Sequence, residues 1–290
     1  MTNEREEPET WTVVRLLSWT TEYLSGKGIE EPRLNGELLL AGVLQLKRLD
    51  LYLQFDRPLQ PSELAEFKAR LLRRARREPL QYIDGEALFR ELRLRVDRRA
   101  LIPRPETEVL VGEVLAWARG RSDLHALDIG TGSGAIGLSL AFEGAFDRVV
   151  ATDSSEAALA LARENADRLG LEIILRHGSG FDSVEGDRFN VIVSNPPYIA
   201  EAERESLEPE VRDWEPAAAL FSGPTGFELL EALIAGAPEH LRPGGLLALE
   251  IGSEQAGKVV GMIRATGRFN EPFIRNDLTG RERFVLAELE

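Results

Sequence analysis

Four consecutive residues, Asn195, Pro196, Pro197 and Tyr198, carry the groups needed to hold a flat, nitrogen-bearing ligand. The Asn195 side-chain oxygen and the Pro196 carbonyl can each accept one N–H bond of an NH2 group, which favours a pyramidal nitrogen as it reacts. Two prolines stiffen the segment, and Tyr198 offers a face for stacking. The tetrapeptide therefore predicts methyl transfer to an amide-like or ring-attached nitrogen, although Asn and Pro also occur in ordinary turns.

A glycine-rich turn lies upstream of this tetrapeptide. The apolar strand Leu127-Asp128-Ile129 runs directly into Gly130, Thr131, Gly132, Ser133 and Gly134, after which a helix is predicted. Glycines allow the chain to reverse and the backbone to approach a ligand. The free N–H groups of the helix N-terminus suit a carboxylate or a phosphate. The methionine moiety of S-adenosylmethionine carries such a carboxylate.

The next predicted strand ends at Asp153, where a carboxylate can accept hydrogen bonds from both hydroxyls of a ribose. The segment Gly132–Gly137 also satisfies the dinucleotide-binding pattern, and the same acid would serve NAD equally well. The turn alone thus leaves two cofactors open. It also leaves open a dehydrogenase or a non-catalytic cofactor-binding protein.

The composition restricts the classes of protein that remain. The 290 residues suggest about two domains, and 43% hydrophobic with 29% charged residues is typical of a globular protein. Zero cysteines exclude disulfides and thiolate nucleophiles, and three scattered histidines lack metal-ligand spacing, so we expect no metal. A net charge of -14 disfavours a polyanionic partner. No apolar run long enough for a bilayer and no targeting segment is visible, so a cytoplasmic location is expected.

The N-terminal part, from Trp11 to about Arg77, has helical periodicity. Ser62 is the predicted N-cap of its last helix. The far side of that helix carries a run of arginines, which is either a docking patch for an anionic partner or a solvated face. These arginines are Arg70, Arg73, Arg74, Arg76 and Arg77.

Further along, the apolar period changes to two near Leu92–Val96, which predicts a hairpin, and then strands and helices alternate. This alternation predicts an α/β fold with an open, mostly parallel, Rossmann-like sheet. The predicted elements are strand His125–Ile129, helix Gly134–Phe142, strand Val149–Asp153, helix Glu156–Leu169, strands Glu172–Leu175 and Val191–Ser194, a helix near Phe227–His240, and strands Leu246–Ile251 and Phe284–Glu288.

The residues resemble the release-factor glutamine methyltransferases, which methylate the glutamine of the Gly-Gly-Gln loop in peptide-chain release factors. The discriminating stretch is Ile102-Pro103-Arg104-Pro105-Glu106-Thr107-Glu108 beside an N-terminal helical region. The resemblance covers most of the chain. It also includes Pro79–Ile83 with Gly85 and Phe89, Asp128–Leu140, Ser194–Ile199 and Glu215-Pro216.

The resemblance implies a class I S-adenosylmethionine-dependent methyltransferase with an antiparallel last strand, and S-adenosylhomocysteine as product. It implies a helical substrate-recognition domain over residues 1–83, a hairpin linker over 84–106 and a methyltransferase domain over 107–290. Gly130 to Gly134, Asp153 and Asn195 would surround the cofactor, and Phe181 corresponds to a position that contacts the adenine. Arg104 and Glu106 would shape the cofactor pocket.

The implied partner is a release factor, with neither membrane nor direct nucleic-acid binding expected. One segment, Phe221–Gly226, departs from the family pattern, in which a Gly-Gly-x-Asp-Gly type of turn is more usual. Relatives that methylate a glutamine of a ribosomal protein, and enzymes acting on adenine or guanine nitrogens, share the tetrapeptide. Those two acceptors therefore stay open as alternatives.

Overall fold

The computed structural model of the chain describes residues 10–290. Two compact units divide after Asp84, and the hairpin lies in the second unit, Gly85–Glu290. Within residues 10–290, no helix is long and apolar enough to cross a membrane. The described helices of the first unit are α1 Val13–Gly26, α2 Pro32–Leu44, α3 Asp50–Leu53, α4 Pro61–Arg74 and α5 Leu80–Asp84.

Helix α4 starts earlier than predicted. Its N-cap is Gln60 and Pro61 occupies the first helical position, where the missing proline N–H costs nothing, so the prediction of Ser62 as N-cap is wrong. The Glu63 carboxylate accepts a hydrogen bond from the Gln60 backbone N–H at 2.8 Å. That side chain supplies the cap which Ser62 was expected to provide.

The arginines of α4 form partners inside the first unit. Arg74 is 7% exposed and donates to the Asn35 side-chain oxygen at 2.7 Å. Arg73 binds both oxygens of Glu78, while Arg70 bridges Glu66 and Asp84. A solvated face does not describe the buried Arg74, whereas the Arg73 side chain remains 44% exposed beside Glu78. The docking patch for an anionic partner stays a prediction.

The second unit begins with the hairpin β1 Glu86–Phe89 and β2 Leu92–Arg95. It continues with α6 Pro105–Ala118, β3 Leu124–Ile129, α7 Ala135–Glu143, β4 Phe146–Asp153, α8 Glu156–Leu169, β5 Ile174–His177, β6 Phe189–Ser194, α9 Pro209–Arg212, α10 Ala217–Leu220, α11 Glu228–His240, β7 Leu241–Glu250, α12 Ala256–Thr266, β8 Phe273–Asn276 and β9 Glu282–Glu288.

The large sheet has the strand order β5-β4-β3-β6-β7-β9-β8. Strands β3 to β7 pair in parallel, and β9 pairs antiparallel with both β7 and β8. The α/β fold with a mostly parallel sheet and an antiparallel last strand is confirmed. Helix α8 matches its prediction, β5 lies two residues later than predicted, and α12 and β8 were not predicted.

Both faces of this sheet are buried, which explains its almost continuous apolar strands. Along β7, Leu247 and Leu249 face a core shared with α11 and α12, whereas Leu246 and Ala248 face a core shared with α6 and α7. Strand order reverses between β3 and β6, and ligands bind such sheets beyond the carboxyl ends of the strands at this point. The glycine turn and the tetrapeptide follow these two strands.

Candidate active site

The glycine turn is held in place by the neighbouring strand. The backbone N–H groups of Gly130 and Thr131 both donate to the Thr152 carbonyl of β4, at 2.9 and 3.0 Å. Gly134 caps α7 with a φ of +87°, and a Cβ at that position would lie 2.8 Å from the Leu138 side chain. Only glycine fits there, so the turn keeps its backbone close to the cleft.

Asp128, in strand β3, forms hydrogen bonds to the same turn. Its Oδ2 accepts from the Thr131 hydroxyl at 2.6 Å and from the Gly137 N–H at 2.9 Å. The carboxyl is fully buried, and this burial raises its pKa to about 7. Asp128 therefore links the end of β3 to both sides of the glycine turn.

Asp153 stands at the end of β4 and lines the same cleft. Its Oδ2 accepts from the Gly132 N–H at 2.9 Å, and its Oδ1 accepts from the Ser155 N–H at 2.8 Å. Burial raises the pKa of the carboxyl, while these backbone donors lower it. Both oxygens are thus oriented, and each retains a lone pair for a ligand hydroxyl.

Asn195 follows β6 beside the glycine turn, because Ser194 pairs with Ile129 in the sheet register. Its Nδ2 donates to the Thr107 hydroxyl at 3.0 Å, and that hydroxyl donates to Glu250 Oε2 at 2.7 Å. Glu250 is 1% exposed, and its burial raises its pKa to about 7. The Asn195 side chain is therefore held from behind by groups of α6 and β7.

The tetrapeptide lies between two adjoining cavities. One contains the glycine turn and Asp153, and the other is lined by all four residues Asn195–Tyr198. Asn195 and Pro197 line both. Burial raises the pKa of the Tyr198 hydroxyl to about 12. Its ring packs against the core that α11 and α12 share with the sheet.

The segment that departs from the family pattern packs against the tetrapeptide. The Ile199 N–H donates to the Leu220 carbonyl, and the Ser222 N–H donates to the Ile199 carbonyl. A Cβ at Gly226 would lie 2.5 Å from the Tyr198 carbonyl oxygen, which also accepts from Gln255 Nε2 at 3.0 Å. We call Leu220 to Gly226, together with Gln255, the brace of the tetrapeptide.

Two family models match the chain. The PrmC N-terminal domain matches residues 15–85, and the methyltransferase small domain matches residues 107–209. A release factor glutamine methyltransferase of Geobacter sulfurreducens is 46% identical over 97% of this chain and 98% of its own. That of Chlorobaculum tepidum is 43% identical over 87% and 90%. The chain belongs to the release factor glutamine methyltransferase family.

Solved structures agree with the fold of this family member. A methyltransferase from Pyrococcus furiosus is 23% identical, has a TM-score of 0.52 and covers 77% of this chain and 96% of its own. A 16S rRNA methyltransferase of T. thermophilus, in complex with AdoMet and guanosine, is 20% identical with a TM-score of 0.52, over 71% and 50%. At these identities the likeness shows the fold alone.

Two predicted cofactor-binding residues of this family member, Gly134 and Phe181, do not line the cleft of the glycine turn. Phe181 stacks on His240 at 4.4 Å between ring centroids, and its ring lies against Gly236 of α11, where a Cβ would be 2.6 Å away. The residues that line the cleft of the glycine turn do not include it. Contact of Phe181 with an adenine stays a prediction.

Arg104 was expected to shape the cofactor pocket, whereas Thr107 and Glu250 carried no assigned role in the sequence. Arg104 lines both cavities, and its Nη2 donates to both oxygens of the buried Glu215, at 2.9 and 2.7 Å. Thr107 and Glu250 hold Asn195. An acidic residue directly after the apolar run Leu246–Leu249 was the available signal for Glu250. Among residues 10–290, no group of three or more acidic or histidine side chains is placed to hold a metal.

Proposed function

We propose that the chain transfers a methyl group from S-adenosylmethionine to the side-chain amide nitrogen, N5, of the glutamine in the Gly-Gly-Gln motif of peptide-chain release factors. One observation carries the proposal. Asn195 lines the cavity of the glycine turn and Asp153 as well as the cavity of the tetrapeptide. A residue in that place can hold an acceptor against a methyl donor, and the family relatives are named for this acceptor.

The residues of the first cavity fit the methyl donor. Backbone N–H groups of Gly130 to Gly134 at the start of α7 would bind the carboxylate of the methionine moiety, and Asp153 would accept from the ribose hydroxyls. Both Asp153 oxygens are already oriented by Gly132 and Ser155. The bound cofactor supplies an electrophilic methyl group on a sulfonium.

The acceptor presents an amide whose lone pair is delocalised. The Asn195 oxygen and the Pro196 carbonyl would accept its two N–H bonds, and Pro197 and Tyr198 would enclose the planar group. With the acceptor held by Asn195 and Pro196, the amide nitrogen would take the methyl group as the carbon–sulfur bond broke. S-adenosylhomocysteine would leave with the bonding electron pair, and the nitrogen would lose its extra proton to water. Chain groups thus contribute position and electrostatics, and no general base is needed.

The test uses the full chain, cofactor labelled in its methyl group, and a purified release factor. Mass spectrometry should place one methyl on the Gly-Gly-Gln glutamine, and a release factor carrying Gln→Ala at that position should stay unlabelled. Parallel reactions contain ribosomal protein and nucleic acid. Transfer to either of these, with none to the release factor, would overturn the proposed acceptor. Transfer to nucleic acid would also fall steeply with added salt.

The location and the wider set of partners rest on the sequence alone. A cytoplasmic location stays a prediction, as does the expectation that neither nucleic acid nor a membrane is bound. Fractionation of cells that express the tagged chain would test the location.

A further inference from the structure

Two further residues support the Asn195 side chain at the proposed acceptor site. Its amide nitrogen, the Thr107 hydroxyl and the Glu250 carboxylate form a continuous hydrogen-bonded chain, with links of 3.0 and 2.7 Å. We propose that Thr107 and Glu250 are positioning residues that fix which end of the Asn195 amide faces the acceptor. This inference rests on the proposed function, because it concerns how the same site holds its amide substrate.

The donor and acceptor properties of the three groups set the direction of the hydrogen bonds between them. In the ionised state the Glu250 carboxylate only accepts, so the Thr107 hydroxyl then donates its single proton to it, as the 2.7 Å hydrogen bond is directed in the structure. The oxygen of Thr107 then has only lone pairs left for Asn195. It therefore accepts from the amide nitrogen of Asn195, and a flipped amide would set two acceptor oxygens against each other. The Asn195 carbonyl oxygen is left to face the acceptor.

Burial makes this direction matter. Thr107 is 4% exposed and Glu250 is 1% exposed, so water does not compensate for a lost hydrogen bond. Thr107 lies in the first turn of α6, and Glu250 ends β7, where it pairs with Phe284 of β9. The support for Asn195 thus comes from a helix and a paired strand, which hold it more firmly than a loop would.

Two explanations of Thr107 make different predictions: it orients Asn195, or it contacts the cofactor. Thr107 lines the cleft of the glycine turn, so a contact with the cofactor is a competing explanation. If Thr107 donated a hydrogen bond to the cofactor, removing its hydroxyl would lower the affinity of the protein for the cofactor. If Thr107 instead fixes the Asn195 oxygen, removing its hydroxyl would lower kcat, because that oxygen acts on the acceptor as the new bond forms.

The experiment compares Thr107→Val, which keeps the shape and removes the hydroxyl, with Thr107→Ser, which keeps the hydroxyl. We expect Thr107→Val to lower kcat by about 10- to 100-fold. The KM for the release factor and the Kd for S-adenosylhomocysteine should each change less than about two-fold. Thr107→Ser should restore most of kcat. Thermal unfolding of both variants serves as the control for folding.

A second measurement does not depend on turnover. Selective nitrogen-15 labelling of asparagine, with the Asn195 amide assigned through its loss in Asn195→Ala, reports the hydrogen bond directly. Its two N–H resonances should move in Thr107→Val and stay near their original positions in Thr107→Ser. Unchanged resonances in both variants would overturn the inference, as would an unchanged kcat in Thr107→Val.

A third outcome would assign Thr107 to the cofactor. If the Kd for S-adenosylhomocysteine rises about ten-fold or more in Thr107→Val while kcat holds, the positioning role is wrong. Failure of the proposed function is distinct from all of these. In that case the unsubstituted chain itself leaves the release-factor glutamine unmethylated, while the asparagine resonances still report whether Thr107 orients Asn195.

Discussion

Replacing Gly226 by alanine tests whether the brace sets the position of the tetrapeptide. Gly226 has a φ of +77°, and a Cβ there would lie 2.5 Å from the Tyr198 carbonyl oxygen and 3.1 Å from the Ala200 nitrogen. Gly120 has the same φ of +77° with nothing within 4 Å of its Cβ position. Gly120→Ala is therefore a matched control that carries the backbone strain without the steric clash.

The backbone strain and the steric clash each lower the stability, and the two free-energy costs can be estimated separately. An alanine at positive φ costs about 1–2 kcal/mol of stability in either variant. Relieving the clash at Gly226 requires a shift of roughly 1 Å, since non-bonded atoms prefer about 3.5 Å or more. Overpacking of this kind costs about 1–3 kcal/mol further. Because the shifted atoms belong to Tyr198, the acceptor site moves too, and a misplacement of about 1 Å can lower the rate about 100-fold.

The assay combines urea unfolding with methyl transfer at saturating cofactor. We expect Gly120→Ala to lose about 1–2 kcal/mol of unfolding free energy and to keep kcat within about two-fold. Gly226→Ala should lose about 1–3 kcal/mol more and most of its kcat. Equal stabilities and equal kcat values in the two variants would refute the idea that the brace positions the tetrapeptide.

Three further outcomes follow from the carboxylates. Asp153→Ala should raise the Kd for S-adenosylhomocysteine about 10- to 100-fold, measured by calorimetry, because two ribose hydrogen bonds are lost. The Asp128 pKa of about 7 lies above its ordinary 3.8, so the folded state binds the proton more tightly than the unfolded state. The contribution of Asp128 to the unfolding free energy should therefore be fully present below about pH 4 and fall by up to ~1.4 kcal/mol per pH unit towards pH 7. In urea titrations, the difference in unfolding free energy between the unsubstituted chain and Asp128→Asn should change with that slope. Burial raises the pKa of Glu250 to about 7, and the ionised carboxylate accepts the Thr107 hydrogen bond more strongly than the protonated form does. We expect kcat to rise with pH up to about 7 in pH–rate profiles and Glu250→Gln to remove that limb; identical profiles would contradict this.

Local signals in the sequence relate the residues of one half of the candidate site. The apolar strand before Gly130, the spacing of the glycines and the acid at Asp153 are read from neighbouring residues, and the structure places them in one cleft. The alternation of strands and helices made the mostly parallel sheet predictable. Parallel strands bring their carboxyl ends to one edge of a sheet. The position of the tetrapeptide, after β6 and beside the glycine turn, was therefore predictable as well.

Contacts between distant residues were not predictable from such signals. Thr107 and Glu250 have no pattern that relates them, since their contact depends on the packing of α6 against β7. The arginines of α4 show the same limit, because a charge run reveals nothing about Asn35 or Glu78, which pack against it. The strand β8, at the edge of the sheet, carries only the partly apolar run Phe273–Asn276 and offered little signal.

The hydrogen bond between Thr107 and Glu250 also has a consequence for biosynthesis. The two residues are 143 positions apart, and Glu250 ends the strand that pairs with β6. A chain emerging from the ribosome holds Gly130 to Asp153 well before it holds Glu250. Long-range strand pairing must wait for the later segment. On the nascent chain, the hydrogen bond between Thr107 and Glu250 can therefore form only after β7 has been synthesised.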